Sequence, residues 1–308
     1  MAKSLLYLSK AFLLLLFQLL VIQSASFTNA RGSPQFSKSL KDLEGSQKGQ
    51  RVQGIHEVKH YLNKFGYLNY EDSNNVKLHV EHDDEFDEAF ELALKTYQKY
   101  YHLKVTGKLD SDTIKQMALP RCGVADVING NLEHEHPQYA FFGNQIKWPS
   151  SKRHLTYAFE SSAQVDISLE ELRSTCESAF KKWSEVSDFT FEETDQKLNA
   201  DLVIGFHRLD HGDGNSFDGP SGVLAHAFVP TNGRLHFDAD EDWSTSLNLT
   251  QSETDLVSVA THEIGHLLGL AHSQFEDAIM YAYFASGVTK RDLNQDDIEG
   301  IRALYANE

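Results

Sequence analysis

The stretch HEIGHLLGLAH, residues 262–272, constrains the architecture of this chain more than any other. On a helix, His262 and His266 lie one turn apart and project from the same face, where two imidazoles can bind one zinc ion. Glu263 lies beside them as a candidate general base. The second glycine of the stretch can end the helix with a positive φ angle, so that His272 can supply a third nitrogen. Three protein ligands leave one position for water, which is typical of a catalytic zinc site.

A methionine that follows the histidines extends the pattern. Residues 277–281 read DAIMY, so Met280 comes soon after the third histidine. Metzincin proteases carry a methionine turn beneath the metal, and this segment matches that feature. Met280 alone would be ordinary core, and the alternative for the zinc motif is a surface helix that happens to carry histidines. Three histidines, a glutamate and a glycine in register favour the metal site.

A third motif lies far upstream, where residues 120–126 read PRCGVAD. This heptapeptide resembles the cysteine switch of the matrixins, the matrix metalloproteinase family. The resemblance implies that the thiolate of Cys122, a soft zinc ligand, occupies the fourth zinc position in a latent form and displaces the water. It also implies that Arg121 pairs with Asp126 and holds the loop in shape.

Cys176 is the other cysteine of the chain, and a disulfide between it and Cys122 is the alternative to the switch. Around Cys176, apolar residues recur at helical spacing. Ser168 and Glu171 form a capping box at the start of the same segment. This pattern favours a helix in which Cys176 is a buried free thiol that packs as a small hydrophobe.

Composition and the N-terminus limit the class of protein. A net charge of −17 makes nucleic acid an unexpected partner and suits calcium binding. Residues 1–26 have lysines, a short apolar run and then small residues, which is the layout of a secretory signal peptide. An uncleaved membrane anchor is the alternative. We therefore expect a secreted, extracellular protein without a stable membrane anchor, located in the apoplast or cell-wall space if the source is a plant.

The remaining chain divides into a propeptide, residues 27–140, and a catalytic domain, residues 141–308. Residues 27–50 are polar with little periodicity and are interpreted as a flexible leader. Residues 51–119 show three segments of helical periodicity. They resemble the peptidoglycan-binding-like module that matrixin propeptides share, and we expect a folded inhibitory prodomain. The cysteine switch follows it, and activating cleavage is expected in the linker after the switch.

The order of strands and helices after residue 141 predicts an α+β or mixed α/β layout. The matrixin resemblance implies a twisted five-stranded sheet, three helices and an active-site cleft across the domain. Among matrixins the chain is most similar to the short plant-type forms without a haemopexin domain, and no haemopexin-like repeats follow the zinc motif. We expect a monomer that acts on protein or peptide substrates and is inhibited by its own propeptide.

A second set of metal-ligand residues lies between the switch and the zinc motif: His211, Asp213, His226 and His236. Four ligands with no open position describe a structural zinc site. The matching positions of matrixins bind such an ion. Solvent-facing histidines in a polar loop are the alternative.

The same region resembles the calcium loop of the family. The resemblance assigns carboxylate and backbone-carbonyl ligands to Asp218, Gly219, Ser221, Val223, Asp238 and Glu241. Ser221 stands where the family usually has glycine. Asp201 matches a second calcium site, but Arg234 stands where a carboxylate is usual, so tight binding is not expected there.

Together these motifs indicate hydrolysis of peptide bonds, with Glu263 taking a proton from the attacking water. Substrate is expected to add as an extended strand along the segment that contains Leu224. The resemblance implies that Ser258 shapes the S1′ pocket, which a small side chain deepens, and that Tyr283 lines its wall.

Asn248 begins the one acceptor sequon for N-glycosylation, and such sequons are often unused. The rival function is a secreted peptidoglycan- or glycan-binding protein with an inactive, zinc-stabilised domain. The intact Glu263 argues against that rival, because a purely structural domain needs no base at this position.

Overall fold

The computed structural model describes residues 33–69, 83–127, 140–143, 145–160 and 163–306. The expected signal peptide, residues 1–26, lies outside the described residues, and so does most of the linker after the switch. Within the described part, no helix is long and apolar enough to cross a bilayer.

The N-terminal domain contains four helices in the described residues: α1 (Ser33–Asp42), α2 (Ile55–Lys64), α3 (Glu88–Tyr100) and α4 (Ser111–Met117). The last three lie where apolar periodicity predicts them. Asp87 and Asp110 cap α3 and α4 by accepting hydrogen bonds from the backbone N–H of Phe90 and Thr113. The core of this domain is rich in buried tyrosine and phenylalanine side chains.

Helix α1 corrects the expectation of a flexible leader over residues 27–50. Leu40 and Leu43 are 0% and 1% exposed and belong to the core of the helical domain. The backbone of Gly45 and Ser46 also bonds to that of Leu109, just before α4. The prediction was wrong because α1 is short and mostly polar, so its order comes from docking on the other helices rather than from its own periodicity.

Six strands form one sheet: β1 (Arg121–Cys122), β2 (His154–Phe159), β3 (Thr190–Glu193), β4 (Leu202–His207), β5 (Val223–Ala227) and β6 (Arg234–Asp238). Their spatial order is β1-β5-β6-β4-β2-β3, in which the β5–β6 pair is antiparallel and the other pairs are parallel. Strands β2 to β6 confirm the predicted five-stranded sheet. The short strand β1 comes from the cysteine-switch segment and adds a sixth strand at the β5 edge.

A separate two-stranded sheet pairs β7 (Trp243–Ser244) with β8 (Thr254–Asp255). In the part of the catalytic domain that the structure describes, there are three helices: α5 (Leu169–Ser184), α6 (Leu256–Leu267) and α7 (Gln295–Tyr305). Their number agrees with the predicted fold, which is therefore confirmed as mixed α+β.

Helices α5 and α6 pack side by side, and Trp183 of α5 donates its indole N–H to the carbonyl of Thr261 at 2.8 Å. The predicted capping box of Ser168 and Glu171 begins α5. Cys176 is fully buried on this helix and is a free thiol, as is Cys122. The alternative of a disulfide between them is therefore excluded.

Candidate active site and metal centres

Helix α6 brings the first two histidines and the glutamate of the zinc motif into the interior. His262, Glu263 and His266 are all 0% exposed. Asp255 starts the helix, since its carboxylate accepts a hydrogen bond from the backbone N–H of Ser258. A carboxylate at this end also suits the positive pole of the helix dipole.

The turn after α6 places the third histidine of the motif next to the first two. Gly269 has a φ of 100°, and a side chain there would meet the carbonyl oxygen of Ile146 at 2.5 Å. Glycine is therefore required by both the left-handed conformation and the close approach. The chain reverses at this point, and Nε2 of His272 lies 3.1 Å from Nε2 of His266.

Each of the three rings is oriented by a hydrogen bond from its Nδ1. His262 donates to the carbonyl of Ile279 at 2.7 Å, and His266 donates to the carbonyl of Leu270 at 2.7 Å. His272 instead faces the carboxylate of Asp126, 2.6 Å from its Nδ1. With the proton on Nδ1, each Nε2 has a lone pair free for a metal ion.

The thiol of Cys122 completes this group. Its Sγ lies 3.4 Å from Nε2 of His266, and the ligand atoms of Cys122, His262, His266 and His272 all lie within 4.8 Å of one another. We refer to these four residues as the helix cluster. Burial and the neighbouring imidazoles lower the pKa of His262 and His266, and burial lowers that of His272, so all three are neutral and able to bind a cation.

Orphaned polar atoms test whether a zinc ion fits the helix cluster. Among the described residues, Nε2 of His262 and both carboxylate oxygens of Glu263 are buried without a hydrogen-bond partner. Such atoms are costly to bury unless a cation or water satisfies them. Burial also raises the pKa of Glu263 to about 8. Three nitrogens and a sulfur at this spacing match the donor set that tetrahedral zinc prefers.

Met280 lies against α6, on the segment where the sequence pattern predicts a methionine turn beneath the metal. A side chain at Gly265 would meet its sulfur at 2.3 Å, so the helix and the methionine turn are in close contact. Asp297 of α7 holds this turn, because its carboxylate accepts from the backbone N–H of Ile279 and Met280 at 2.8 and 3.0 Å. Sequence reasoning missed Asp297, since its role depends on a segment distant in sequence.

Strand β1 places the switch on the edge of β5. Arg121 donates its backbone N–H to the carbonyl of Gly222 at 2.6 Å, and Gly123 donates to that of Ala225 at 2.8 Å. On its other side, the N–H of Cys122 donates to the carbonyl of Ala282 at 2.8 Å. The switch therefore occupies the edge along which sequence reasoning expects a substrate.

Asp126 is the centre of the polar contacts within the switch. It forms an ion pair with Arg121 at 2.6 Å, and its second oxygen accepts from the hydroxyls of Tyr67 and Tyr101 at 2.8 Å each. Burial alone would raise the pKa of Asp126, but the charge of Arg121 and the contact with His272 hold it well below its usual range. The carboxylate is therefore an anion that links the prodomain, the switch and a histidine of the helix cluster.

The residues expected to form the substrate pocket lie in three different surroundings. Leu224 is buried on β5, and Ser258 is 1% exposed, with its hydroxyl bonded to Asp255 and to the backbone N–H of Lys290. The hydroxyl of Tyr283 instead lies 2.6 Å from that of Tyr61 in α2 and 2.6 Å from that of Tyr97 in α3. The prodomain thus contacts the proposed pocket wall.

The second metal-ligand group also assembles. Oδ2 of Asp213 lies 2.9 Å from Nε2 of His211, 2.8 Å from Nε2 of His226 and 2.8 Å from Nδ1 of His236. We refer to these four residues as the loop cluster. Burial lowers the pKa of His226 to about 3 and that of His236 to about 4, so both are neutral. Three nitrogens around one carboxylate fit a closed zinc site.

The expected calcium loop adjoins the loop cluster. Among the described residues, Oδ2 of Asp238 and Oε1 of Glu241 are buried without a hydrogen-bond partner. Burial, together with the other acidic groups, raises the pKa of Asp238 to about 7 and that of Glu241 to about 9. Ser221 adopts a φ of 62°, which explains why glycine suits this position. Buried acidic oxygens that need a positive partner fit a calcium ion.

Asp201 has other partners. Its carboxylate lies 2.8 Å from the ammonium of Lys152 and accepts the backbone N–H of Thr156 at 2.8 Å. Arg234, which stands near the expected second calcium site, bonds to Asn232. The expectation that calcium is not bound tightly there stays a prediction. Asn248 is exposed in a loop.

Comparisons with known proteins add independent findings. Residues 147–306 match the family model described as matrixin, and residues 51–117 match a putative peptidoglycan binding domain. The chain is 42% identical to metalloendoproteinase 5-MMP of Arabidopsis thaliana, over 87% of this chain and 75% of the relative. It is 44% identical to metalloendoproteinase 1 of Glycine max, over 83% of each chain. It is 42% identical to the interstitial collagenase of Oryctolagus cuniculus, over 69% of this chain and 42% of that protein.

Proposed function

This chain belongs to the matrixin family of zinc metalloendopeptidases, and from this premise we propose that it is a secreted enzyme, made as a latent zymogen, that cleaves extracellular proteins. The observation that carries the proposal is the helix cluster, in which three neutral imidazoles meet one thiol. The buried carboxylate of Glu263, next to the thiol of Cys122, lies on the same helix. Burial of a carboxylate costs free energy, and a purely structural zinc site needs no such group beside its ligands.

The catalytic step rests on Glu263. A zinc ion held by His262, His266 and His272 would polarise both a water molecule and the scissile carbonyl. Glu263 takes the proton of the attacking water and passes it to the leaving amine. Burial raises the pKa of its carboxyl to about 8. The positive charge of a zinc ion held beside it would lower that pKa, so that the carboxylate would be ionised and able to accept the proton.

The position of β1 supports the proposed latency. Cys122 occupies the fourth corner of the helix cluster, and the β1–β5 pairing occupies the edge where an extended substrate would bind. The tyrosines of α2 and α3 hold Tyr283 at the same time. Cleavage in the linker, with the mature N-terminus near residues 139–142, would release all three contacts together.

The remaining assignments concern stability and location. The loop cluster would hold a structural zinc ion, and Asp238 with Glu241 would contribute to a calcium site. The layout of residues 1–26 supports secretion, and the exposed Asn248 is a candidate for glycosylation. The acidic net charge of −17 agrees with an extracellular enzyme that does not bind nucleic acid.

A fluorogenic peptide assay tests the proposal. Activated protein should cleave an internal peptide bond, and a zinc chelator should abolish the activity, which added zinc should restore. The latent full chain should be inactive in the same assay. Binding to peptidoglycan without any peptide cleavage, in material whose zinc content is verified, would instead support the rival binding function.

A further inference from the structure

Glu160 and His207 form a hydrogen-bonded pair next to the loop cluster. Glu160 follows β2, and His207 ends β4. Oε1 of Glu160 lies 2.7 Å from Nε2 of His207 and 3.8 Å from Nε2 of His236. The side chain of Glu160 is 16% exposed, so it is largely withdrawn from solvent. A carboxylate is thus placed next to the ring nitrogen of His236 that does not face the loop cluster.

His236 uses its two ring nitrogens differently. Nδ1 lies 2.8 Å from Asp213 and 3.1 Å from Nε2 of His211, and therefore faces the interior of the loop cluster. A histidine that binds a metal through Nδ1 keeps its proton on Nε2, and this N–H needs an acceptor. Glu160 stands in that direction. The 3.8 Å distance is longer than a hydrogen bond, and a closer approach of roughly 1 Å would form one.

Other contacts hold Glu160 in this place. Its second oxygen, Oε2, lies 2.7 Å from the ammonium of Lys197. Gly205 on β4 provides the space, since a side chain there would meet Cγ of Glu160 at 2.6 Å. The ring of His207 packs against those of His211 and His236, with centroids 4.8 and 4.3 Å away. The carboxylate is therefore held by the ammonium of Lys197 and the ring of His207, in the space that Gly205 leaves free.

We propose that Glu160 is a positioning residue for the structural metal site, with its carboxylate accepting the Nε2–H of His236 while His207 and Lys197 hold it in place. This role rests on the proposed zinc at the loop cluster. An acceptor behind a ligating histidine fixes its tautomer and ring orientation and makes the ligand more basic. The loss of such a partner lowers metal affinity by roughly 10- to 100-fold in other proteins.

The experiment follows zinc release from the latent full chain to a chromogenic chelator. The wild-type chain should carry two zinc ions that leave in separate phases. His226→Ala identifies the phase of the loop cluster, because it removes a ligand. Glu160→Ala should accelerate that phase by at least ~10-fold and leave the other phase unchanged. Glu160→Gln keeps the shape of the side chain and one acceptor oxygen. Its release rate in that phase should lie between those of the wild type and Glu160→Ala.

Glu192→Ala is the matched control, because the carboxylate of Glu192 pairs with a histidine, His154, on the exposed side of the same sheet. It should leave both phases as in the wild type. Equal release rates in Glu160→Ala and the wild type would overturn the inference while the proposed zinc sites stand. Acceleration of both phases together would also overturn it, since that result indicates general loss of structure. If the wild-type chain carries one zinc ion and still has peptidase activity, the structural zinc site does not exist. The inference about Glu160 would then be wrong, while the proposed peptidase function would stand.

Discussion

The helix cluster and the loop cluster use similar ligands but obtain the fourth one from different parts of the chain. In the helix cluster, three histidines of the catalytic domain meet Cys122, which the propeptide supplies on β1. In the loop cluster, Asp213 is the fourth member and lies two residues from His211 in the same loop. Under the proposed function, the first set would lose a ligand when the propeptide leaves, whereas the second would stay closed.

The carboxylates that face the histidines also come from different parts of the chain in the two clusters. His272 of the helix cluster faces Asp126, which belongs to the propeptide switch. His236 of the loop cluster faces Glu160, which belongs to the catalytic domain. Removal of the propeptide would thus take away a ligand and a supporting carboxylate from one cluster and neither from the other. A fourth ligand from a removable segment makes a site switchable, and one from its own loop makes it permanent.

The largest expected effect separates catalysis from metal binding within the helix cluster. Glu263→Ala should lower kcat/KM by at least ~100-fold, because the general base is lost, while the zinc content stays the same. The measurement is peptide hydrolysis alongside metal analysis. Glu185→Ala, at an exposed position after α5, is the control and should remain active. A Glu263→Ala enzyme that keeps most of its activity would contradict the assigned mechanism.

The next effect tests whether the fourth ligand of the helix cluster is the removable one. Cys122→Ser should give a zymogen that processes itself without an activator, because a neutral hydroxyl is a poor zinc ligand. Cys176→Ser is the matched control, since this thiol is also buried but lies within α5 away from both clusters, and it should remain latent. Gel electrophoresis over time follows the processing. Stable latency of Cys122→Ser would show that the thiol is not the inhibitory group.

Removal of the fourth ligand from the loop cluster should affect stability rather than latency. Asp213→Ala should lose one of two zinc ions and lower the melting temperature by at least ~5 °C, because the folded state loses a bound ion. The variant should still require removal of the propeptide for activity. Calorimetry with metal analysis measures both effects. Spontaneous activation of Asp213→Ala would indicate that the two clusters are not independent.

A smaller effect concerns pH and the calcium loop next to the loop cluster. In the calcium-free protein the pKa of Asp238 is about 7 and that of Glu241 about 9, whereas unfolded carboxyls titrate near ~4. The folded state thus holds more protons between about pH 4 and 9, and its stability falls as the pH rises through this window. Calcium replaces those protons, so its stabilising effect should increase from pH 6 to pH 8, by at most ~1.4 kcal/mol per group and pH unit.

Melting temperatures with calcium and with a calcium chelator at both pH values measure this effect. Asp201→Asn is the control, because Asp201 is paired with Lys152 and should not change the response to calcium. A calcium effect that is equal at pH 6 and pH 8 would contradict the assignment of Asp238 and Glu241.

The smallest effect concerns Ser258, which lies on the same helix as two ligands of the helix cluster. Ser258→Arg should narrow the proposed S1′ pocket and reduce cleavage before long side chains a few-fold more than cleavage before leucine, since each buried methylene contributes ~0.8 kcal/mol. Ser258→Ala removes only the hydroxyl and should keep the wild-type preference. Cleavage of a peptide series varied at P1′ measures the profile. An unchanged profile in Ser258→Arg would remove the specificity proposal and leave the peptidase assignment intact.

Short-range sequence patterns predicted much of the architecture. Ser168 with Glu171 marked the start of α5, and apolar spacing located α2 to α4, because caps and periodicity are local properties of the chain. The contribution of α1 was missed, since its few apolar residues are ordered only by packing on other helices. Asp297 and Glu160 were missed for a related reason. Each acts on a segment that is distant in sequence, and an isolated acidic residue carries no sign of that contact.

The sequence by itself determined the chemistry of both clusters, because ligand type and spacing within one helix or loop restrict which metal can bind and whether a base lies nearby. His262, Glu263 and His266 share a helix turn wherever the helix lies. Only the tertiary structure decided which surfaces meet: β1 pairs with β5, Tyr61 and Tyr97 reach Tyr283, and Asp126 reaches His272. These contacts join segments that are up to 222 residues apart, so they depend on how whole domains pack rather than on any local pattern.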